Sequence, residues 1–317
     1  TGKTYKDKEE MKKTLRYGKI MILTDQDLDG HHIKGLTMNL FSSQWNDLFK
    51  MNDFLGYMNT PIIKATKGSR EKSFYNEKQY EEWKAANENG KGWKIKYYKG
   101  LGTSSGKEFK EYFAKKKFIM FNFTGEESQD AIDKAFNKTR ADDRKEWLGN
   151  YNKNLRLDVD KKKCPVQHFI DRELIHFAKY DCERSICNLV DGFKTSQRKI
   201  VYAAFKRNLT KEIKVAQFSG YVSEHSAYHH GEMSLNMAIV KLAQEFVGSS
   251  NISVLYPSGQ FGTRLKGGKD HASERYIFTK LGKLARYIYP EADDKIVYYL
   301  DDDGTLVEPE YYLPILP

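Results

Sequence analysis

The chain has 317 residues, 39% hydrophobic and 14% aromatic, enough apolar material for sizeable cores and, at about 150 residues per domain, for two of them. Lys and Arg outnumber Asp and Glu to a formal net charge of +10, which favours a polyanionic partner, nucleic acid first, over an acidic-patch receptor. No apolar run approaches the roughly 18 residues of a spanning helix, no signal-peptide series opens the chain, and Cys164, Cys182 and Cys187 form no Cys-x-x-Cys pair, so membrane insertion, secretion and a zinc ribbon are not expected.

Taken in order, Thr1-Gly2-Lys3-Thr4 runs into a charged helical pattern and the last residues stop inside an apolar run, so the sequence reads as a piece of a longer protein. Lys19 to Thr24 is a short apolar run typical of a strand buried on both faces, and a helix is expected from about His32 to Leu48 after an acidic turn. Trp93 to Tyr98 alternates like a strand, Gly100 and Gly102 break it, and Ser105 with Glu108 spells a capping box before Phe109 to Phe113. The first half is therefore expected to be α/β, a parallel sheet with helices. A polar, Lys-rich stretch between Asn150 and Cys164 suggests a boundary that divides the chain into 1–160 and 161–317, after which Pro165 opens an amphipathic helix from Phe169 to about Tyr180. Three helical patterns follow, Gln197 to Arg207, Lys214 to His225 and Gly231 to Phe246, then strand-like Ile252 to Leu255 and a Gly-rich turn. That series predicts an α+β winged-helix domain, a helix-turn-helix with a wing.

Two segments carry chemistry. Asp25, Asp27 and Asp29, at i, i+2 and i+4 directly after the first strand, are expected to converge at the carboxyl edge of the sheet, where they repel one another unless a cation fills the cluster. Hard oxygen donors without His or Cys select Mg2+, with Mn2+ or Ca2+ as substitutes. An EF-hand would need Glu where Leu36 stands and a helix where the strand stands. The second segment is the glycine-rich, basic loop from Gly259 through Gln260, Arg264 and Lys269 to Arg275 and Tyr276, where backbone N–H groups can approach phosphate closely. It is not a Walker A loop, because Gly268 follows Gly267 and no Ser or Thr follows Lys269. A phenol is a weak nucleophile at neutral pH, and Arg275 beside Tyr276 supplies a cation for its oxyanion. Lys194, Arg198 and Lys199 lie at a helix start, whose N-terminal amides favour phosphate, and Tyr228, His229 and His230 open the third helical pattern of the winged-helix domain.

The motifs, in this order, resemble the eukaryotic branch of type IIA DNA topoisomerases along essentially the whole chain. Arg16-Tyr17-Gly18-Lys19 leading to Thr24-Asp25-Gln26-Asp27-Leu28-Asp29-Gly30 is similar to the metal motif of the family's TOPRIM fold; the segments Tyr97 to Ser104, which includes Lys99, and Asp142 to Leu148 match two further motifs. Gln260-Phe261-Gly262-Thr263-Arg264 and Arg275-Tyr276-Ile277 complete the match. The resemblance implies that Tyr276 is the residue joined to the 5′ phosphate of cut DNA, that Arg275 stabilises the transition state, and that Arg198 and His230 contact the scissile phosphate. It implies DNA contacts at Arg144, Lys145, Lys194 and Tyr228, to which the basic and polar context adds Lys99, Lys199, His229, Gln260 and Lys269. Asp25 and Asp27 would carry the catalytic metal and Asp29 a second ion, within a homodimer in which each tyrosine serves its partner's acidic cluster. Double-stranded DNA is then the substrate, ATP acts only through a domain outside these residues, and the nucleus is the expected compartment. His31 and Glu274 depart from the family pattern, and the family's catalytic glutamate belongs to a segment before Thr1, so the isolated chain is expected to bind DNA and cleave it poorly. A TOPRIM nuclease without a tyrosyl intermediate and a non-catalytic winged-helix DNA-binding protein are the alternatives.

Overall fold

The structure, a computed structural model, describes residues 4–98, 100–302 and 305–316. Lys99, expected at the DNA interface, lies outside the described residues. The chain divides into two compact units, Thr1–Tyr180 and Asp181–Pro317.

The first unit opens with helix α1 (Lys8–Thr14), capped by the Asp7 carboxylate, and strand β1 (Ile20–Ile22), which leads to α2 (Leu28–Gln44). The helix starts earlier than its apolar period suggests because Asp27 caps it, its carboxylate accepting from Gly30 N at 2.6 Å, and it ends at Trp45, after which α3 (Asn46–Lys50) begins. Then come β2 (Leu55–Met58), β3 (Ile63–Lys67), β4 (Arg70–Phe74), α4 (Glu77–Ala86), β5 (Lys94–Tyr97), α5 (Gly106–Lys115) and β6 (Phe118–Asn122). The Ser105–Glu108 capping box is present at the start of α5, as its spacing predicts. Helices α6 (Glu126–Phe136) and α7 (Ala141–Gly149) precede β7 (Lys163–Pro165).

The principal sheet has the order β1-β2-β6-β7. It is mixed: β1 and β2 pair in parallel, as do β6 and β7, while β2 and β6 run antiparallel, so the α/β character holds without an all-parallel sheet. Strands β4-β3-β5 make a separate antiparallel sheet around Ile63, Phe74, Tyr80 and Trp83. The strand and helix at 93–115 thus belong to an antiparallel layer and not to a second parallel crossover.

The boundary falls at 180/181 instead of 160/161. Strand β7 pairs with β6, and the helix that follows, assembled from α8 (Val166–Phe169), a π turn at Ile170–Leu174 and α9 (Ile175–Ser185), buries Val166, Phe169, Ile170, Leu174 and Phe177 in the core of the first unit. The Lys-rich stretch before it is polar because it crosses the surface, and the apolar face after it is what holds 161–180 to the sheet.

The second unit contains α10 (Thr195–Lys206), β8 (Ile213–Lys214), α11 (Val215–Ser226), α12 (Glu232–Ala243), β9 (Leu255–Ser258), β10 (Phe278–Leu281), α13 (Ala285–Ile288) and the ribbon of β11 (Tyr299–Asp302) with β12 (Thr305–Pro309). Its core joins Ile200, Val201, Phe218, Val222, Leu235, Ile239, Leu255 and Ile277. Three helices followed by the antiparallel sheet β8-β10-β9 form the expected winged helix, the strand read at Ile252–Leu255 forming three residues later. No helix is long and apolar enough to cross a membrane among the described residues.

Candidate active site

The acidic loop joins β1 to α2 in the first unit. Asp25 Oδ1 accepts from Leu101 N at 2.5 Å, and a Cβ placed on Gly100 would stand 3.0 Å from the same carboxylate, so glycine is what lets the 100–101 backbone approach it. Asp27 is committed through one oxygen to the α2 cap, and Asp29 sits in the first turn of that helix. Among the described residues, no group of three or more carboxylates, histidines or cysteines is gathered as a metal cage. The expected convergence of the trio fails because the strand ends before Asp25 and the helix begins at Leu28, so the period-2 geometry that would align the three does not extend past the first. What does fit a metal is a smaller donor set: two hard carboxylates, each held by a backbone amide, suit Mg2+, which keeps most of its shell as water and phosphate.

His31 does not face this loop. It is buried 3.1 Å from Glu173 Oε2 and edge-on to Phe169, and burial, with Lys34 nearby, holds its pKa well below the ordinary range. Behind the 100–101 segment, Glu108 accepts from Tyr98 Oη at 2.5 Å, from Ser105 N at 2.7 Å and from Lys96 Nζ at 2.9 Å. Burial works to raise the Glu108 pKa, yet these donors outweigh it and bring the pKa down to about 2. A carboxyl depressed on folding stabilises above its ordinary value of 4.5 and loses that contribution as pH falls toward 2. Glu108→Gln should therefore cost on the order of 1 kcal/mol at neutral pH, with the gap to wild type closing between pH 4.5 and 2 in urea titrations.

The basic residues divide into two classes. Arg198 is buried, its Nε 2.7 Å from Asp191 Oδ2 and its Nη2 3.0 Å from Oδ1 and 3.1 Å from Phe193 O. Lys199 donates to Glu308 Oε2 at 2.7 Å and to Ser226 O at 2.5 Å, and Arg144 donates to Lys134 O and Asn137 O at the carboxyl end of α6. These three, expected on phosphate, are engaged within the protein, because a cation at an interior position must find a partner. Lys194 is exposed at the amino end of α10, Lys145 makes an exposed pair with Asp142, and Gln260 and Lys269 are exposed on the loop. His229 Nε2 lies 3.3 Å from Asp302 Oδ2, and the His230 ring stands edge-on to Tyr228 at 5.4 Å.

Gln244, which the sequence gives no reason to select, organises the glycine loop: its buried amide donates to Phe261 O at 2.8 Å and to Gly268 O at 3.1 Å. Thr263 N and Oγ1 both donate to Asp270 at 2.8 Å, closing the loop across its neck. Gly268 has φ +75, and a Cβ there would meet the Gln244 amide nitrogen at 2.3 Å. Gly268→Ala is expected to destabilise the loop by more than about 1 kcal/mol, read as faster limited proteolysis within 259–270 while far-ultraviolet circular dichroism is unchanged.

Tyr276 follows this loop and immediately precedes the wing strand β10. Its neighbours are clamped to the start of α11, Ala216 N donating to Glu274 O at 3.1 Å and Val215 N to Ile277 O at 3.0 Å, and Ile277 is buried. The Tyr276 side chain itself is 71% exposed, with the Arg275 guanidinium carbon 5.8 Å from the ring centroid. Glu274 contributes a main-chain oxygen to the clamp, so its departure from the family pattern leaves this bond intact.

Residues 58–182 match the C-terminal associated domain of TOPRIM, and residues 184–317 match the DNA gyrase/topoisomerase IV family. The chain is 52% identical over 317 residues to DNA topoisomerase 2 of Plasmodium falciparum (isolate K1 / Thailand), covering 99% of this chain and 22% of that protein. It is 53% identical over 329 aligned residues to DNA topoisomerase 2-beta of Homo sapiens, covering 99% and 20%. It therefore spans about a fifth of the length of these curated relatives. The crystal structure of the Plasmodium falciparum topoisomerase II DNA-binding, cleavage and re-ligation domain superposes with a TM-score of 0.79 at 53% identity, over 96% of this chain and 42% of that one. With motif order, winged helix and near-complete alignment in agreement, the chain belongs to the eukaryotic type IIA DNA topoisomerase family, as part of its cleavage core.

Proposed function

We propose that this chain carries out reversible double-strand DNA cleavage through Tyr276. The observation that carries the reading is the combination at that residue of a backbone clamped on both sides and a side chain exposed to solvent beside Arg275, which presents a phenol oxygen at a fixed place outside the protein. In the step proposed, Tyr276 Oη gives up its proton and bonds to the scissile phosphorus, the bond from phosphorus to the 3′ oxygen breaks, and that oxygen takes a proton. The phosphodiester becomes a 5′ phosphotyrosyl ester of similar energy, so the reverse attack reseals the strand without a nucleotide. Arg275 offsets charge on the attacked phosphate, His230 lies within the same helix-start segment that faces phosphate, and the exposed loop with Lys269, Gln260 and Lys194 supplies contacts that are mostly independent of sequence. Asp25 and Asp27 would hold Mg2+, which when bound stabilises charge on the leaving oxygen. A homodimer with double-stranded DNA as substrate, ATP coupling through a domain outside this chain and a nuclear site of action complete the proposal.

The test is to mix the full-length protein with DNA labelled at its 5′ and 3′ ends in calcium, denature, digest with protease and follow the label. A peptide retained on the 5′ side of each break supports the reading. Free hydrolysed ends would favour the nuclease alternative, and binding without any metal-dependent break would leave a DNA-binding module.

A further inference from the structure

Lys34, on the second turn of α2, is 1% exposed, an unusual place for an ammonium group. Its Nζ donates to Gln26 Oε1 at 2.9 Å and lies 4.6 Å from the centroid of the Tyr57 ring. Gln26 in turn donates from Nε2 to Met58 O at 3.0 Å, at the end of β2. A buried cation thus ties α2, through the side chain of Gln26, to the neighbouring strand, and Gln26 is the residue between Asp25 and Asp27.

We propose that Lys34 is a positioning residue that fixes the acidic loop through Gln26 so that Asp25 and Asp27 are presented together to a divalent cation, an inference that rests on reading those carboxylates as metal ligands. Leu or Met would fill the same space without the desolvation that a buried ammonium imposes, so the retained polar link calls for a role beyond packing. Its geometry supplies one: the Gln26 amide is held at both ends, and the peptide on either side carries a carboxylate. The two ways in which a lysine here could influence a cation have opposite signs. A positive charge acting only through space repels the ion, and removing it tightens binding. A positioning residue acts through the loop, and removing it weakens binding.

The experiment titrates the chain with Mn2+, following free ion by electron paramagnetic resonance, for wild type, Lys34→Met, Lys34→Arg, Gln26→Leu and the double variant Asp25→Asn/Asp27→Asn, with folding checked by circular dichroism. Lys34→Met and Gln26→Leu are each expected to weaken Mn2+ binding by about tenfold or more, the usual effect of losing a group that orients a ligand, and Lys34→Arg to restore most of it. Binding that is unchanged or tighter in Lys34→Met and Gln26→Leu, while the double Asp variant loses it, overturns the positioning role and leaves the metal reading standing. Equal binding by wild type and the double Asp variant overturns the metal reading and the proposal with it. Should Lys34→Met fail to fold, Gln26→Leu decides alone, since Gln26 is only half-buried and its loss leaves the core filled.

Discussion

Tyr276→Phe is expected to abolish the covalent protein–DNA adduct and lower cleavage by on the order of 10^4-fold or more, the scale seen when an enzyme loses its nucleophile. The substitution removes one oxygen from a side chain that is 71% exposed, so the change in stability should stay within about 0.5 kcal/mol, as for surface substitutions elsewhere. DNA affinity should also be nearly unchanged, because binding draws on many phosphate contacts and the phenol is one group among them. The measurement is adduct yield on end-labelled DNA beside a filter-binding affinity and a thermal melt of the same preparation. An adduct that persists in Tyr276→Phe would mean another nucleophile and would sink the assignment. A large fall in melting temperature would show that Tyr276 holds the wing and would remove the case from its exposure.

The second large effect concerns stability. Both oxygens of Asp191 are occupied: they accept Arg198 Nε and Nη2 at 2.7 and 3.0 Å, Phe193 N at 2.9 Å and Tyr312 N at 3.0 Å, and the carboxylate side chain is fully buried. Removing one member leaves an uncompensated charge and stranded donors in the interior, which costs about 3–5 kcal/mol. Asp191→Ala should accordingly lower the melting temperature by about 10 °C or more in calorimetry. Arg198→Met should cost a comparable amount, and Asp191→Leu/Arg198→Met should recover much of the loss, because an apolar pair leaves no buried charge behind. A loss below about 1 kcal/mol in Asp191→Ala would contradict the buried pair, since surface ion pairs have that magnitude. The experiment also separates two accounts of Arg198. If its guanidinium touched phosphate, Arg198→Lys would weaken DNA binding at unchanged stability; anchored on Asp191 in a bidentate fork that lysine cannot reproduce, it should lose stability as well.

The same contrast between local and distant partners explains how much could be read in advance. The Ser105–Glu108 capping box, the helix patterns of the winged helix, the strand leading into the acidic turn and the glycine loop before Tyr276 were legible because each is governed by residues within one or two turns of one another. The identity of the nucleophile was legible from motif order alone. The acidic trio was legible as a motif but not as a geometry, since the position at which Asp27 caps α2 decides where each carboxylate goes. Leu101 reaches Asp25 across 76 residues, Glu308 takes Lys199 across 109, and Tyr312 reaches Asp191 across 121. No local period or cap encodes those pairings.

By itself, then, the sequence determined the order of elements, the α/β and winged-helix classes and the identity of the chemistry-bearing residues, because hydrophobic period, capping and loop composition act over short stretches of chain. Only the tertiary structure decided which cations are exposed on the basic surface and which are held inside, that Gln244 shapes the tyrosine's loop, that Lys34 lies buried behind the acidic turn, and that residues 161–180 belong to the first unit. The physical reason is burial: whether a charged side chain meets a phosphate or a buried carboxylate depends on whether the fold removes it from water, and that is set by parts of the chain far from it in sequence.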